Sequence, residues 1–453
     1  MNSIFRSYDI RGVYGKDIDE EIMKRIGKSF AAFVKKDAVV AMDCRLSSPS
    51  LSSSFIEGAV SQGIRVFDAG MMPLGAGTFH AWQSNLEFAY ITASHLPKEW
   101  AGVKFFHPNG MGFLEKENTA ISGIFEKNNF DEKEVRAEKV SHDVPEIYVR
   151  YLTGKIGAKN KMNVIIDNGN GVSSVVTKKL FSEAGHDADM IFEDPDGNFP
   201  NRIPDPIDGQ IGKLKGLMSN YDIGIAYDGD ADRMVLVAEN GVLLTPEQTS
   251  FIILEKLLKT ESGPIVANVE STRLINDIAE KFSRDVVMAP VGHTFLMQYV
   301  NDHKACYGME PTGHYCIPSI VPFDDAIATS LYAVSAVSER EQMLSEIVKD
   351  MPVHTFRRDS FECPDGVKFE AMRSMKEKIT KSFGDVITLD GVRANMPNGW
   401  ALLRVSNTSP YIRLTVEGDT KKDFHEIQKV FLEIIEDEFK KRGLEMKEEH
   451  DKK

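Results

Sequence analysis

Ile223-Gly224-Ile225-Ala226-Tyr227-Asp228-Gly229-Asp230-Ala231-Asp232-Arg233-Met234-Val235-Leu236-Val237-Ala238 is the stretch around which the chain is organised. Its two apolar runs read as buried strands, so the aspartates between them occupy a tight loop. Alternate positions can aim three carboxylates at one point, and such a cluster repels itself unless a cation occupies it. Oxygen donors with no Cys or His nearby favour a hard ion, Mg²⁺ or Ca²⁺. An EF-hand loop would carry an acid at its twelfth position, which counted from Asp228 is Glu239. Its flanks would be helices, however, and here Val235 and Val237 fill the later part of the loop. The competing reading is a solvated acidic turn.

Outward from this loop, the same plan of strand and helix recurs three times. Before it, Val164-Ile165-Ile166 reads as a strand and Asp167-Asn168-Gly169-Asn170-Gly171 as a loop opening a helix through Glu183; residues 209–220 read as a helix and Asn240-Gly241 as a hairpin turn. In the first 145 residues, Ile22, Ile26, Phe30, Phe33 and Val34 recur at helical spacing. A strand at 38–42, a helix at 48–62 and a strand at 64–67 then make a βαβ unit and imply parallel strands. Asp143-Val144-Pro145-Glu146 reads as a helix start and a division between blocks. From 247 to 352 the alternation returns, with strands at 264–269 and 286–289 and helices from 271 and over 326–337. The last hundred residues differ: strands at 385–389, 400–405 and 411–416 follow one another on short connections, and a long helix carries Phe424, Ile427, Phe431, Ile434, Ile435 and Phe439. That is an α+β pattern with an antiparallel sheet. The charged tail 447–453 reads as disordered. The divisions expected are 1–145, 146–246, 247–352 and 353–453.

The 453 residues, taken alone, suggest roughly three domains. A net charge of −14 argues against broad binding to nucleic acid or an anionic membrane, while leaving room for a local basic pocket. The four cysteines, Cys44, Cys306, Cys316 and Cys363, lack metal-ligand spacing and read as free thiols in a reducing compartment. No run approaches the ~20 apolar residues of a membrane helix, so a cytoplasmic protein is the expectation.

Four loops, one per block, carry residues suited to chemistry. Ala89-Tyr90-Ile91 reads as a strand running into Thr92-Ala93-Ser94-His95, with Lys104 beyond; ligands sit at the carboxyl ends of strands in open α/β sheets. The G-x-S-x-G elbow of a hydrolase is absent. The second loop is the aspartate loop. In the third, Glu310, Thr312 and His314 alternate; on extended chain such residues share a face, so Glu310 and Thr312 can hold vicinal hydroxyls of a sugar. The fourth, Arg404-Val405-Ser406-Asn407-Thr408-Ser409 followed by Arg413, supplies donors and charge for a phosphate. Each alone also fits a polar turn. Together they describe a nucleophilic hydroxyl, a divalent cation, a diol reader and a phosphate clamp around a phosphorylated sugar in an interdomain cleft.

With these residues in view, the chain resembles the α-D-phosphohexomutase superfamily, in particular its phosphomannomutase/phosphoglucomutase group, almost end to end. The motifs are Phe5-Arg6-Ser7-Tyr8-Asp9-Ile10-Arg11-Gly12, Thr92-Ala93-Ser94-His95, Asp228-Gly229-Asp230-Ala231-Asp232-Arg233, Val291-Gly292-His293, Glu310-Pro311-Thr312-Gly313-His314 and Arg404-Val405-Ser406-Asn407-Thr408. The resemblance implies a heart-shaped α/β molecule with a central cleft, three similar mixed α/β domains and a smaller C-terminal α+β domain. It implies a phosphoserine at Ser94, and one Mg²⁺ per chain on Asp228, Asp230, Asp232 and the Ser94 phosphate. Arg404, Ser406, Asn407 and Thr408 would hold the phosphate that is not reacting, and Glu310 and Thr312 the sugar hydroxyls. Tyr8, Arg11, Arg233, Gly313, His314 and Arg413 join the substrate site. The implied reaction interconverts hexose 1- and 6-phosphates of mannose, glucose or both through a 1,6-bisphosphate. Glucose 1,6-bisphosphate or mannose 1,6-bisphosphate would be the activator, and the phosphorylated hexose the partner of a monomer or small homo-oligomer. Leu96, Thr312 and Ala326 depart from the usual Asn, Ser and Gly of the family, and Glu270 stands where some members have Lys. That substitution leaves the general base open among His95, Lys104 and His293, with His293 the first choice for proton transfer or positioning. The rivals are phosphoglucosamine mutase, a sugar-phosphate-binding protein without turnover, and a phosphatase sharing the metal loop.

Overall fold

The computed structural model describes residues 4–130, 133, 137–140, 143–406, 410–446 and 448–450. Four sheets follow one another along the chain. The first has the order Ile10–Val13, Trp100–Phe106, Glu87–Ile91, Ala38–Met42, Val66–Met71, Glu138–Lys139, parallel in its last four strands and antiparallel at the other edge. Its central strand Ala38–Met42 is apolar on both faces: Val39 and Ala41 enter one core, Ala38 and Val40 another. Period-two alternation has this result where helices cover both sides. Helix Glu20–Val34, capped by the Asp19 carboxylate accepting from Ile22 N, crosses helix Ser48–Val60 on the outer face. The crossing is made at glycine: a Cβ on Gly27 would overlap the Phe55 carbonyl oxygen, and one on Gly58 the Lys24 carbonyl oxygen.

The second sheet runs Met234–Ala238, Ile223–Tyr227, Asn163–Asp167, Asp187–Ile191. Met234 faces Tyr227 across an antiparallel pair, so the aspartates sit in the loop of a hairpin, as the apolar runs require. The third runs Val286–Ala289, Ile265–Asn268, Tyr307–Met309, Tyr315–Cys316, with only the last pair antiparallel. The fourth is antiparallel throughout: Asp385–Ile387, Val392–Met396, Gly399–Val405, Tyr411–Gly418, Thr355–Glu362, Glu448–His450. Helices Asp365–Ser382 and Lys421–Lys441 cover it, burying Met372, Met375, Ile379, Phe424, Phe431 and Phe439.

Several expectations need correction. Residues 448–450 pair with Asp359–Phe361 and are not a disordered tail; backbone pairing does not need apolar side chains. Strand Thr355–Glu362 and helix Asp365–Ser382 lacked an apolar pattern strong enough to read. The helix expected over 209–220 is only Gly212–Leu217, continued by a 3₁₀ turn Met218–Asn220, and that expected from 271 begins at Leu274. The helix expected after Gly171 is broken into a 3₁₀ turn Val172–Val175 and helix Thr177–Glu183. Among the described residues no helix is long and apolar enough to cross a membrane.

One apolar core runs without interruption from Val39 through the second sheet to Met351, joining the first three domains. The fourth keeps its own core. A patch of Val269, Trp400 and Leu402 is what apolar contact joins it to the third.

Candidate active site

Thr92-Ala93-Ser94-His95 leaves the carboxyl end of strand Glu87–Ile91, and Asp228 that of Ile223–Tyr227. The two loops meet. The buried Ser94 hydroxyl donates to Asp228 Oδ2 at 3.1 Å, across the boundary between the first and second domains. Ser94 has φ 52°, a left-handed conformation that costs a non-glycine residue on the order of 1 kcal/mol. Surrounding bonds hold it there. Ser94 N donates to Thr92 Oγ1 at 2.8 Å, and the Ser94 carbonyl accepts from Arg45 Nη2 at 2.7 Å. His95 Nδ1 lies 3.3 Å from Ser94 Oγ, a contact that neighbours in sequence rarely make and that this twisted backbone permits. Burial, reinforced by the charges of Arg233 and Arg11, lowers the His95 pKa to about 2, so its ring is neutral.

Asp228, Asp230 and Asp232 are all buried, and one oxygen from each falls within 4.8 Å of the others. Lys104 Nζ reaches in from the first domain, 2.9 Å from Asp230 Oδ2 and 2.5 Å from Asp232 Oδ2. Burial opposes the lysine charge, but these two carboxylates outweigh it and raise its pKa. Burial, then Asp232 and Asp230, push Asp228 up, whereas at Asp232 burial is outweighed by Lys104 together with His314, Arg233 and His293, which lower it. Asp230 Oδ1 and Asp232 Oδ1 remain buried with no hydrogen-bond partner among the described residues. Unpaired buried carboxylate oxygens are costly, and an all-oxygen donor set of this kind fits a hard divalent cation. Glu239 is no part of it: its Oε2 accepts from Ser345 N.

The third loop is a hairpin turn. Glu310 N donates to the His314 carbonyl, Gly313 N to the Glu310 carbonyl, and Gly313 has φ 90°. The extended alternation expected here is therefore replaced by a turn, which still brings Thr312 Oγ1 to 3.4 Å from Glu310 Oε2. Glu310 Oε1 is occupied, accepting from Gly292 N at 2.7 Å and Asn268 Nδ2 at 3.0 Å. His314 turns away from these two: its Nε2 accepts from Arg233 Nε at 3.0 Å, and its Nδ1 lies 3.1 Å from Asp324 Oδ2. His293 Nδ1 is 3.5 Å from the same oxygen, with the two imidazoles stacked at 5.2 Å. Burial works against a charge on His293, but Asp324 prevails and raises its pKa. Tyr8 lies edge-on to Phe295 beside Gly292; burial first, then Glu115, Asp390 and Glu310, push its pKa up to about 12. Arg11 pairs with Asp9 at 2.6 Å.

In the fourth domain, Arg404 and Arg413 face each other on neighbouring strands. Arg404 Nη1 donates to Glu270 Oε1 at 2.6 Å, and Ser406 is buried with its carbonyl accepting from Lys368 Nζ. Asn407 and Thr408 lie outside the described residues.

Four family profiles match in order: the phosphoglucomutase/phosphomannomutase alpha/beta/alpha domains I over 2–132, II over 146–241 and III over 245–354, and the C-terminal domain over 361–434. The chain belongs to the α-D-phosphohexomutase superfamily. A probable phosphoglucosamine mutase of Methanopyrus kandleri is 30% identical over 96% of this chain and 98% of its own. A phosphomannomutase/phosphoglucomutase of Pseudomonas putida is 29% identical over 95% of each. A solved phosphoglucomutase/phosphomannomutase family protein of Burkholderia thailandensis superposes with a TM-score of 0.89 at 26% identity, covering 98% of this chain and 99% of that one. The protein is thus a phosphohexomutase, an isomerase that moves a phosphoryl group within its substrate.

Three positioning residues of the mutase escaped the sequence. Arg45 is buried and bonds to Asp43, to the carbonyls of Pro97 and Trp100, and to those of Ser94 and Leu96, so one guanidinium shapes the whole serine loop. Asp43 also accepts from Thr92 Oγ1. Both follow the strand Ala38–Met42 at its carboxyl end, and that placement was the available signal. Asp324, shared by two histidines, adjoins the departure at Ala326, which marked the stretch but not its role.

Proposed function

We propose that this phosphohexomutase interconverts the 1- and 6-phosphates of mannose, glucose or both, through a phosphoserine at Ser94 and a hexose 1,6-bisphosphate. The observation that carries the reading is the Ser94 hydroxyl held against Asp228 beside two unpaired carboxylate oxygens. Asp228, Asp230, Asp232 and the Ser94 phosphate would hold Mg²⁺, which when bound supplies neutralising charge for the transferred phosphoryl group. The remaining work falls to the chain. Lys104, charged and anchored on Asp230 and Asp232, adds a cation beside the reacting phosphate and is unsuited to act as a base.

In the forward step a sugar hydroxyl attacks phosphorus as the P–O bond to Ser94 Oγ breaks. The hydroxyl proton leaves to a base, for which His293, oriented by Asp324, is the first candidate, and Ser94 Oγ, which keeps the electrons of the broken bond, takes up a proton so that the serine hydroxyl is restored. Glu310 Oε2 and Thr312 hold the sugar hydroxyls, since Glu310 Oε1 is already bonded to protein. Arg404, Ser406 and Arg413, with Asn407 and Thr408, hold the phosphate that is not reacting. After the bisphosphate reverses its orientation, its other phosphate returns to Ser94. The hydroxyl pair gripped by Glu310 and Thr312 can serve both orientations, and none of the residues named reads the 2-position.

A second reading, phosphoglucosamine mutase, draws on the similarity to the probable phosphoglucosamine mutase of Methanopyrus kandleri. Turnover of mannose 1-phosphate, glucose 1-phosphate and glucosamine 1-phosphate, each with Mg²⁺ and catalytic glucose 1,6-bisphosphate, separates the two. Reaction of the first two is expected; reaction of the glucosamine ester alone sinks the first reading.

A further inference from the structure

Glu270 lies on the turn after strand Ile265–Asn268 of the third domain, nine-tenths buried, yet its carboxylate is spent on the fourth. Oε1 accepts from Arg404 Nη1 at 2.6 Å and Oε2 from Arg358 Nη2 at 3.1 Å. Asp390 Oδ2 stands 3.5 Å from Arg404 Nη2. Arg404 and Arg413 are directly opposite on adjacent strands, and Arg358 lies on the next strand, paired with Thr415. Like charges opposite one another in a sheet repel. Here three guanidiniums face two carboxylates, and the Nε atoms of Arg358, Arg404 and Arg413 all lack a partner among the described residues. The cluster therefore has unused donors, and its shortest ion pair is with a carboxylate from another domain.

We propose that Glu270 is an internal counter-anion: it occupies Arg404 and draws the fourth domain onto the third until the substrate's phosphate displaces it. The idea rests on the reading of Arg404 as a phosphate ligand. A phosphate offers more acceptor oxygens than a carboxylate and can engage Arg404 and Arg413 together, so exchange is favourable, but it proceeds against an ion pair already made. The apparent affinity for phosphosugar is then weaker than the arginines alone would give, because the competent arrangement is only fractionally populated. The same displaced carboxylate repels bound phosphate and speeds product release. Glu270 thus acts through Arg404 and is a positioning residue.

Removing its charge should strengthen binding. Glu270→Gln is expected to lower KM for the hexose 1-phosphate, and the Kd for inorganic phosphate by calorimetry, by about tenfold, with kcat moving by about threefold or less. Glu270→Asp, which keeps the charge, should stay near wild type. An unchanged or raised KM and Kd in Glu270→Gln overturns the proposal, as does a loss confined to glucosamine 1-phosphate, which would mark Glu270 as a reader of the amino group. Should Glu270→Gln fail to fold, Asp390→Asn is read instead; it should lower the phosphate Kd about twofold, and no change there overturns the proposal. Arg404→Ala separates the layers. If it leaves KM and phosphate binding unchanged, the phosphate-clamp reading fails; if it raises both while Glu270→Gln lowers neither, only the counter-anion fails.

Discussion

The junction between the second and third domains and that between the third and fourth are made of opposite materials. At the first, Tyr227, Met234 and Leu236 share a core with Ile327, Leu331 and Val334, and the polar contacts are buried within it: Tyr148 Oη donates to Asp325 at 2.6 Å, and Tyr227 Oη meets Ser330 Oγ at 2.5 Å. At the second, the guanidinium of Arg393 donates to the Val269 and Ser271 carbonyls and stacks on Trp400 at 3.7 Å, Arg273 binds Glu417 and Asp419, and Glu270 binds Arg404 and Arg358. An apolar seam has no substitute partner when it opens, whereas ionic and hydrogen-bonded groups can be satisfied by water or ligand. The serine and the aspartates therefore belong to one stiff unit, and the arginines to a part that can shift against it.

The largest effect expected is at the stiff side's nucleophile. Ser94→Ala should cut kcat by about a thousandfold or more, while phosphosugar still binds through the fourth domain. Steady-state kinetics and calorimetry would show it, and the wild-type intact mass should carry an adduct of about 80 Da that the variant lacks. Retained turnover would remove the phosphoserine and leave the comparison without chemistry on either side. Next, Ile327→Ala in the shared core should cost about 2–5 kcal/mol. Denaturant unfolding should lose the first three domains in one transition; separate transitions would show that the seam is not cooperative.

Asp325 tests the same seam by pH. Burial pushes its pKa up to about 6 from 3.8, so the folded protein holds its proton more tightly than the unfolded chain. The stabilisation this provides is present below pH 3.8 and is lost as pH rises through about 6, on the order of 3 kcal/mol in all. Across that window wild type should lose stability relative to Asp325→Asn; parallel curves would contradict it. The smallest effect belongs to the polar junction. Arg273→Ala removes a partly exposed ion pair with Asp419 and a bond to the Pro397 carbonyl, and should change stability by about 1 kcal/mol or less. KM should stay within about twofold of wild type, because Arg273 bonds to Asp419 and the Pro397 carbonyl and to neither Arg404 nor Arg413. A large stability loss would mean that the two junctions are more alike than their composition suggests.

Where the sequence was legible, strong local patterns were the reason. Val286–Ala289 and Ile223–Tyr227 are continuous apolar runs and have the bounds their residues suggest. Thr355–Glu362 was not legible, because Arg357, Arg358 and Asp359 interrupt it and its role is to pair at both edges. The loops of the site could be found because each holds unusual polar residues at a strand end. What connects them could not: that Arg45 binds five groups around one loop, or that Asp324 serves two imidazoles, depends on folding over long separations.

The paired glycines where helices Glu20–Val34 and Ser48–Val60 cross have a bearing on how mutational data would be interpreted. Neither Gly27 nor Gly58 tolerates even a methyl group, since main-chain oxygen fills the space on each side. In a saturation scan scored by survival, both positions would be depleted as severely as Ser94, though they touch no ligand. Intolerance mapped onto this molecule would thus light up two places, and only a readout that separates abundance from turnover would tell the helix crossing from the cleft.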